Sequence, residues 1–199
     1  MAKRTSWVLA AILLLVFVAP AGAADESKKQ DDAIKAMMEA WTKYATPGPA
    51  HKELAGLVGR WDVVATFWPA PGAPPQTSKG ISEMSLLLDG RYLLESFTSP
   101  MPERVFQGMG ITGYDNLKRK VVSVWIDTMG TGLMVSEGTR DASGVLHTVG
   151  TTPDPVAGKD KTVKGREWTA ADGIRHHEMW EAGPDGKDYR TMEILYTRK

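Results

Sequence analysis

The chain has 199 residues, equal numbers of acidic and basic side chains, and no cysteine. This length fits one domain with a sizeable core. The lack of cysteine excludes disulfides and a thiolate nucleophile or metal ligand within this chain, so stability must come from packing. A neutral chain with dispersed basic residues lacks the positive surface of a nucleic-acid-binding protein. We therefore expect no nucleic-acid partner.

The first residues have the pattern of a bacterial export signal. Lys3 and Arg4 precede an apolar run over residues 7–19, and small residues follow at 21–23. The run is shorter than the roughly 20 residues that span a bilayer, which favours a signal peptide over an uncleaved anchor. We expect a signal peptide over residues 1–23, a periplasmic or secreted protein, and no membrane span after cleavage.

A helix is predicted after the signal. Apolar residues recur at helical spacing, and a Pro-Gly-Pro sequence at 47–49 ends the pattern; the apolar positions are Ile34, Met37, Met38, Trp41 and Tyr44. We expect an N-terminal helix and linker over residues 24–48. The apolar stripe should pack against the mouth or flank of a larger domain, and a partner-binding helix is the alternative.

The rest of the chain has the pattern of consecutive β-strands. Alternating stretches rich in Val, Thr, Ile, Trp and Tyr are separated by turn sequences such as Asp89-Gly90 and Pro184-Asp185-Gly186. About ten sequential antiparallel strands form a meander that normally closes on itself, because closure removes exposed edges. The predicted fold class is mainly β: a single antiparallel up-and-down barrel over residues 49–199, with a short N-terminal helix.

The start of the first strand carries a resemblance. Gly59-Arg60-Trp61 follows a short predicted helix and matches the Gly-x-Trp signature of lipocalins and other calycins. In those barrels the Trp closes the bottom, and an Arg near the end of the last strand packs over it. Arg198 occupies that place here. The resemblance implies a structural barrel-floor pair of Trp61 and Arg198, which a cation–π contact would stabilise.

Further segments extend the resemblance to nearly all of the chain from about residue 51 onward. Together they resemble the bacterial lipocalin-like family known as domain of unknown function 1579; the segments are His51-Lys52-Glu53-Leu54, Leu57-Val58-Gly59, Gly90-Arg91-Tyr92-Leu93, Gly113-Tyr114-Asp115-Asn116, Trp125-Ile126-Asp127 and Tyr196-Thr197-Arg198. The resemblance implies a barrel fold and frequent export, and it implies no established activity.

Strand alternation suggests which side chains would line a cavity. If Trp61 faces inward, so does Phe67, and further along the chain Trp125, Asp127 and Met129 share one face. We expect a ligand-binding set that lines a cavity for a small apolar or amphipathic molecule; the set is Phe67, Tyr92, Trp125, Asp127 and Met129. The alternative is a barrel filled by its own side chains. The second face near residues 121–129 is also apolar, so its outer side should be covered.

Asp127 stands out because its neighbours are apolar. An inward carboxylate would either pair with an arginine or have a raised pKa. Structural pairing, orientation of a ligand, and general acid–base chemistry are the three interpretations.

The adjacent histidines His176 and His177 look like a metal cluster, but neighbours on a strand point to opposite faces, so they cannot easily share one ion. We expect no metal site. Haem needs only one axial imidazole and an apolar pocket, which the resemblance to nitrobindin-type ten-stranded barrels would permit. His176 and His177 are therefore the candidate haem ligands.

The predicted function is an exported, non-catalytic barrel that binds a small hydrophobic or amphipathic molecule without a cofactor. No nucleophile elbow, phosphate-binding glycine loop or dinucleotide fingerprint occurs in the sequence, so no catalytic residue is assigned. Three alternatives stay open: a haem or metal protein, a hydrolase or isomerase built on Asp127 with an inward histidine, and a structural envelope protein that docks through its N-terminal helix.

Overall fold

The computed structural model describes residues 21–199, which form two helices and ten strands. The helices are α1 (Ala21–Ala45) and α2 (Pro49–Ala55). The strands are β1 (Gly59–Phe67), β2 (Gln76–Leu87), β3 (Tyr92–Pro100), β4 (Val105–Asp115), β5 (Lys120–Asp127), β6 (Met134–Arg140), β7 (Leu146–Asp154), β8 (Lys159–Thr169), β9 (Arg175–Ala182) and β10 (Asp188–Arg198).

The strands form a closed antiparallel barrel. Each strand pairs with its neighbours in sequence, and β1 also pairs with β10. Short turns make this order possible. Between β6 and β7, for example, the Asp141 carboxylate accepts hydrogen bonds from the backbone N–H groups of Ser143 and Val145, and Gly144 adopts a φ of 86°. The structure confirms the predicted fold class, a mainly β, up-and-down barrel of ten strands.

The chain divides into two compact units. The first ends at Tyr44 and contains most of α1, and the second, Ala45–Lys199, contains α2 and the barrel. Helix α1 begins at Ala21, earlier than the predicted residue 24, and its apolar stripe is exposed. Residues 1–20 of the predicted signal peptide lie outside the described residues. Within residues 21–199, neither helix is long and apolar enough to cross a membrane.

Helix α2 lies at one end of the barrel, against β2, β3 and β4. Pro49 occupies its first turn, where a missing N–H does no harm. The Glu53 carboxylate of α2 pairs with Arg140 at the end of β6, with 2.9 Å between Oε2 and Nε. The main apolar core lies at the same end and comprises Leu54, Trp61, Val63, Met84, Leu93 and Tyr196. We call this end the floor and the opposite end the mouth.

Strand register determines which side chains face the lumen. Trp61 and Val63 are buried, and they pair directly with Arg198 and Tyr196. Directly paired residues share a face of the sheet, and alternate residues of one strand also share a face. Applied from β1 to its neighbours and then from strand to strand, these two rules identify the inward residues of all ten strands.

Candidate functional site

The floor is closed by an indole and a guanidinium. The Arg198 Cζ lies 4.3 Å from the centroid of the Trp61 ring. Its two Nη atoms donate to the carbonyl oxygens of Val58 and Gly56 at 2.7 and 2.6 Å. Gly59 has a φ of 142°, and a Cβ there would lie 2.7 Å from Arg198 Nη1. Glycine is therefore needed before this Trp for both conformation and space.

Aromatic side chains line the upper part of the lumen, and glycines let them lie flat against its wall. Trp125 covers Gly108 and Gly110, where an added Cβ would overlap the indole or lie 3.0 Å from it. Phe97 covers Gly80 in the same manner, with 2.6 Å to a Cβ there. These two rings therefore lie along the wall of the barrel.

A carboxylate from β3 occupies the lower part of the lumen. Glu95 pairs with Met84 on β2 and with Gly110 on β4, two inward positions. Its Oε1 accepts a hydrogen bond from the Ser82 hydroxyl at 2.7 Å. The buried Tyr196 hydroxyl also donates to Glu95. Both donors are neutral hydroxyl groups.

A second carboxylate lies between an arginine and a histidine of the neighbouring strand β9. Glu167 of β8 accepts a hydrogen bond from Arg175 Nη2 through Oε2, and its Oε1 lies 3.6 Å from His177 Nδ1. The Arg175 guanidinium also lies 4.7 Å from the centroid of the Tyr196 ring. Its Nη1 is buried without a hydrogen-bond acceptor among the described residues. The side chains of Glu95, Glu167, Arg175, His177 and Tyr196, with Ser82, form what we call the polar floor.

The polar floor shifts the pKa values of its members. Burial alone would raise the pKa of the Glu167 carboxyl, but the Arg175 guanidinium and the His177 ring beside it outweigh burial and lower the pKa from 4.5 to about 2. Burial alone would lower the pKa of Arg175, and Glu167 raises it instead. Burial, reinforced by Glu95, raises the pKa of Tyr196 well above 10. At neutral pH the site therefore contains a charged pair and a neutral phenol.

Several inward side chains of the barrel remain partly exposed. Inward side chains in its middle are only half-buried, among them Ser123, Ser136 and Thr148. His177 and Glu167 retain 21% and 20% of their side-chain exposure. In a barrel packed by its own side chains such inward positions would be buried. These partly exposed inward positions, together with the polar floor, make the lumen the candidate binding site.

Residues 46–198, which include α2 and all of the barrel up to the last residue of β10, match the family model described as "Protein of unknown function (DUF1579)". The chain belongs to this family. None of the curated proteins matches the sequence.

The DUF1579 barrel places only part of the predicted ligand-binding set in its lumen. Trp125 and Asp127 face inward on β5, and Phe67 faces inward at the mouth. Met129 lies in the exposed loop after β5, where its sulfur accepts a hydrogen bond from Arg104 Nη2. Trp125 and Asp127 therefore lie together near the mouth, with Met129 in the adjoining loop and Phe67 on a separate strand.

Tyr92 departs from the prediction because it lies on the outer face. Its neighbour Leu93 is buried at the floor, and alternation turns Tyr92 outward. The Tyr92 ring covers Gly113 on the adjacent strand, where a Cβ would lie 2.7 Å from it. The two faces of β3 have similar apolar content. The sequence therefore could not show which of the two faces the lumen.

Asp127 pairs with neither of its predicted partners. Its Oδ2 accepts a hydrogen bond from Trp125 Nε1 at 2.9 Å, and its Oδ1 accepts one from the Met129 N–H at 2.8 Å. No arginine within residues 21–199 forms an ion pair with it. It ends β5 at the mouth, whereas His177 is near the start of β9, which runs in the same direction as β5. The acid–base pair of Asp127 with an inward histidine is therefore not assembled.

The two histidines point to opposite faces of the sheet, as strand geometry requires. His177 pairs with Ile194 and Glu167 and faces the lumen. His176 faces outward and stacks on Trp168, with 4.7 Å between ring centroids. Of His, Cys, Asp and Glu side chains in the described part of the chain, no three converge as a metal site would require.

The polar floor is the part of the site that the sequence analysis missed. Arg175 and His177 alternate on β9, and Glu167 precedes the turn that leads to them. The available signal was the alternation of Arg175 and His177 on one strand, with Glu167 opposite them across a hairpin. Glu95 gave a weaker signal, since it alternates with apolar residues on β3.

The outer surface offers a weaker candidate. A groove of about 590 Å³ crosses the outer face of β1, β2 and β3, and its charged side chains are Asp62 and Lys79. Asp62 is already paired with Lys199 at 3.1 Å. The groove has no counterpart of the polar floor, so the lumen is the stronger candidate binding site.

Proposed function

We propose that this DUF1579 barrel binds a small amphipathic molecule in its lumen and performs no chemistry on it. The polar end of the molecule would contact the polar floor, and its apolar part would lie against Phe97, Trp125 and three inward methionines nearer the mouth, Met134, Met179 and Met192. Pockets of this kind combine an apolar wall with a few polar groups that orient the ligand. The proposal rests on the lumen and not on any similarity to a protein of known activity.

The observation that supports it is the division of the lumen into two chemical zones. The upper zone is aromatic, with Phe97 and Phe106 in edge-to-face contact at 5.7 Å between centroids. The other zone is polar: it contains a pair of serines in the middle of the lumen, Ser123 and Ser136, whose hydroxyl oxygens lie 2.7 Å apart, and below them the polar floor. A guest with one apolar and one polar end fits this division better than a wholly apolar or wholly polar one.

A lumen-filling substitution tests the proposal. Ser136→Phe would place a ring in the middle of the lumen, and Val135→Phe, one residue away on β6, would place the same ring outside. We expect Ser136→Phe to abolish the fluorescence enhancement of N-phenyl-1-naphthylamine, and Val135→Phe to preserve it. Circular dichroism and thermal unfolding would verify that both variants fold. Equal dye binding by the two folded variants would contradict the proposal.

Native mass spectrometry of the protein purified gently from a bacterial periplasm provides a second test. A discrete added mass that is lost on denaturation would support a bound ligand and give its size. The Ser136→Phe variant should then carry no added mass, whereas Val135→Phe should carry the same mass as the unmodified protein.

Haem binding is a second candidate, and one observation favours it. His177 faces the lumen with Nδ1 towards Glu167, and its Nε2 has no protein partner among the described residues. Histidine ligands of metals commonly direct the other ring nitrogen at a carboxylate, which orients the ring. The aromatic upper zone would suit an apolar macrocycle. Haem, when bound, would supply an iron centre for gas or electron chemistry.

Haemin titration separates this candidate from the first. A Soret band that forms with the unmodified protein and with His176→Ala, but is lost in His177→Ala, would support it. His176→Ala is the matched control because that side chain lies outside the barrel. A Soret change that is equal in all three proteins would indicate nonspecific adsorption and would end the candidate.

We also propose that the chain is exported, on the basis of the N-terminal pattern. Expression of the full chain in a Gram-negative host should give a periplasmic protein. Its intact mass should correspond to a chain that begins at residue 24 or 25. A cell-associated protein that retains residues 1–23 would contradict export with cleavage.

A further inference from the structure

We infer that the polar end of the ligand is a cation, a primary ammonium or a similar nitrogen group, and that Glu95 is its counterion. The inference rests on the proposed function, because it assigns the chemical class of the molecule that the lumen would bind. It follows from the charges that face the lumen and from the partners that those charges already have.

The charges around the polar floor do not balance. Glu95 and Glu167 are two carboxylates, and Arg175 is one guanidinium. Arg140, at the floor end of β6, is already paired with Glu53 of α2 at 2.9 Å. Apart from the His177 imidazole, the polar floor therefore has two carboxylates and one guanidinium, which is one carboxylate in excess.

The excess charge belongs to Glu95. Glu167 has Arg175 as its direct partner, whereas the hydrogen-bond donors of Glu95 are the hydroxyls of Ser82 and Tyr196. The Arg175 guanidinium interacts with Glu95 at longer range, but no lysine or arginine nitrogen in the described part of the chain forms an ion pair with Glu95. A carboxylate has about four lone-pair positions for hydrogen bonds, and these two hydroxyls leave the others available.

An ammonium group would complete this site. A carboxylate that is partly removed from water loses hydration, and an opposite charge with N–H donors compensates for that loss. Glu95 is half-buried, so it is shielded from bulk water and still reachable from the lumen. An alkylammonium would supply three donors and a positive charge at once.

The position of Glu95 suits a molecule with an apolar chain behind its cationic end. Phe97, the next inward residue towards the mouth, belongs to the aromatic zone. Leu93, the next inward residue towards the floor, is buried in the core. A chain that extends from an ammonium at Glu95 would therefore run towards the mouth along the aromatic wall.

The alternative is a ligand whose polar end is an anion. Arg175 could attract a carboxylate, and its Nη1 lacks a hydrogen-bond acceptor. However, that atom is buried, the guanidinium lies over the Tyr196 ring at 4.7 Å, and Nη2 donates to Glu167. A ligand anion would also meet two fixed carboxylates, which makes the cation the better match.

Three probes that share an n-octyl chain test the inference: octylammonium, octanol and octanoate. Each would compete with N-phenyl-1-naphthylamine for the unmodified full chain at pH 8 and low salt. We expect octylammonium to bind about ten-fold more tightly than octanol, because a charge-assisted hydrogen bond is about twice as strong as a neutral one. Octanoate should bind most weakly.

Removal of the Glu95 charge supplies the matched comparison. In Glu95→Gln the advantage of octylammonium over octanol should fall to two-fold or less, while octanol affinity stays within about two-fold of its original value. Glu83→Gln removes a carboxylate from the outer face of β2, where Glu83 pairs with Arg60, and should leave the ranking unchanged.

Three other results would contradict the inference, and each would have a different meaning. Equal affinities for octylammonium and octanol would refute the cation and leave the proposed lumen binding intact. Tighter binding of octanoate would identify Arg175 as the head-group site. Failure of all three probes and of the dye to bind the folded protein would refute the proposed function as well. The order of affinities of the three probes for the unmodified protein tests the inference even if Glu95→Gln does not fold.

Discussion

Glu167 and His177 lie directly opposite each other in the ladder between β8 and β9, with 3.6 Å between Oε1 and Nδ1. The second oxygen of the same carboxylate accepts a hydrogen bond from Arg175. One carboxylate thus orients an imidazole and holds a guanidinium inside a barrel. This arrangement makes the lower lumen polar and links its stability to the charge of Glu167.

The first prediction concerns stability in acid. The pKa of Glu167 is lowered to about 2, so its contribution to the free energy of unfolding is complete above its unfolded pKa of about 4.5. That contribution, about 3 kcal/mol at neutral pH, is lost as the pH falls from about 4.5 through 2. The Glu167→Gln variant lacks this contribution to the free energy of unfolding at every pH. We expect the stability gap between the two proteins to be widest at pH 6–7 and to narrow steadily below pH 4.5.

Urea unfolding followed by circular dichroism at several pH values between 2.5 and 7 measures this gap. Glu83→Gln, which removes an exposed carboxylate from the outer face, is the control and should show a small gap at all pH values. A gap for Glu167→Gln that is the same at pH 3 and pH 7 would show that the ionised carboxylate does not stabilise the fold.

The second prediction concerns the pair that closes the floor. Arg198→Met keeps much of the side-chain volume but removes the contact with Trp61 and the hydrogen bonds to two carbonyls. We expect a loss of about 2 kcal/mol in the free energy of unfolding. Thr197→Val, on the adjacent outward position, should change it by less than about 0.5 kcal/mol. Equal stability of the two variants would mean that the floor does not depend on Arg198.

The third prediction concerns the glycines beneath Trp125. A Cβ at Gly108 would overlap the indole, so Gly108→Ala should tilt the ring away from the wall and cost about 1–3 kcal/mol. Gly48→Ala is the control, since nothing lies within 4 Å of a Cβ there. Thermal unfolding measures the cost, and the near-ultraviolet circular dichroism of the tryptophans reports the tilt. An unchanged spectrum and stability would refute the close packing.

Several features could be predicted from the sequence because each depends on local chemistry. Turn residues such as Asp141 and Gly144 separate the strands, so strand number and antiparallel order followed from the turns. Gly108 and Gly110 lie inside a strand, a pattern that favours either close packing or a bulge, and the structure has Trp125 packed against them. The barrel followed from the number of strands and the need to protect edges.

The polar floor could not be predicted because it depends on the phase and register of strands with two similar faces. On β9 the outward face contains His176, Glu178 and Trp180, and the inward face contains Arg175, His177 and Met179, so neither face is clearly the more apolar. Rules that turn apolar residues inward therefore cannot select the inward face of this strand. Tyr92 was assigned to the lumen for the same reason.

The last prediction concerns stability in alkali and Tyr196. Burial, reinforced by Glu95, raises the pKa of Tyr196 well above 10 in the folded state, so in the unfolded chain this phenol ionises first. Its contribution to stability is complete below pH 10 and is lost as the pH rises, by up to about 1.4 kcal/mol per pH unit. Tyr196→Phe has no such loss, but it lacks the hydrogen bond to Glu95, which costs about 1 kcal/mol at neutral pH. Urea unfolding at pH 7–11.5 should therefore show the Phe variant less stable at pH 7 and equal or more stable near pH 11. A stability difference that stays constant across this range would show that the Tyr196 hydroxyl is exposed to solvent and not part of the polar floor.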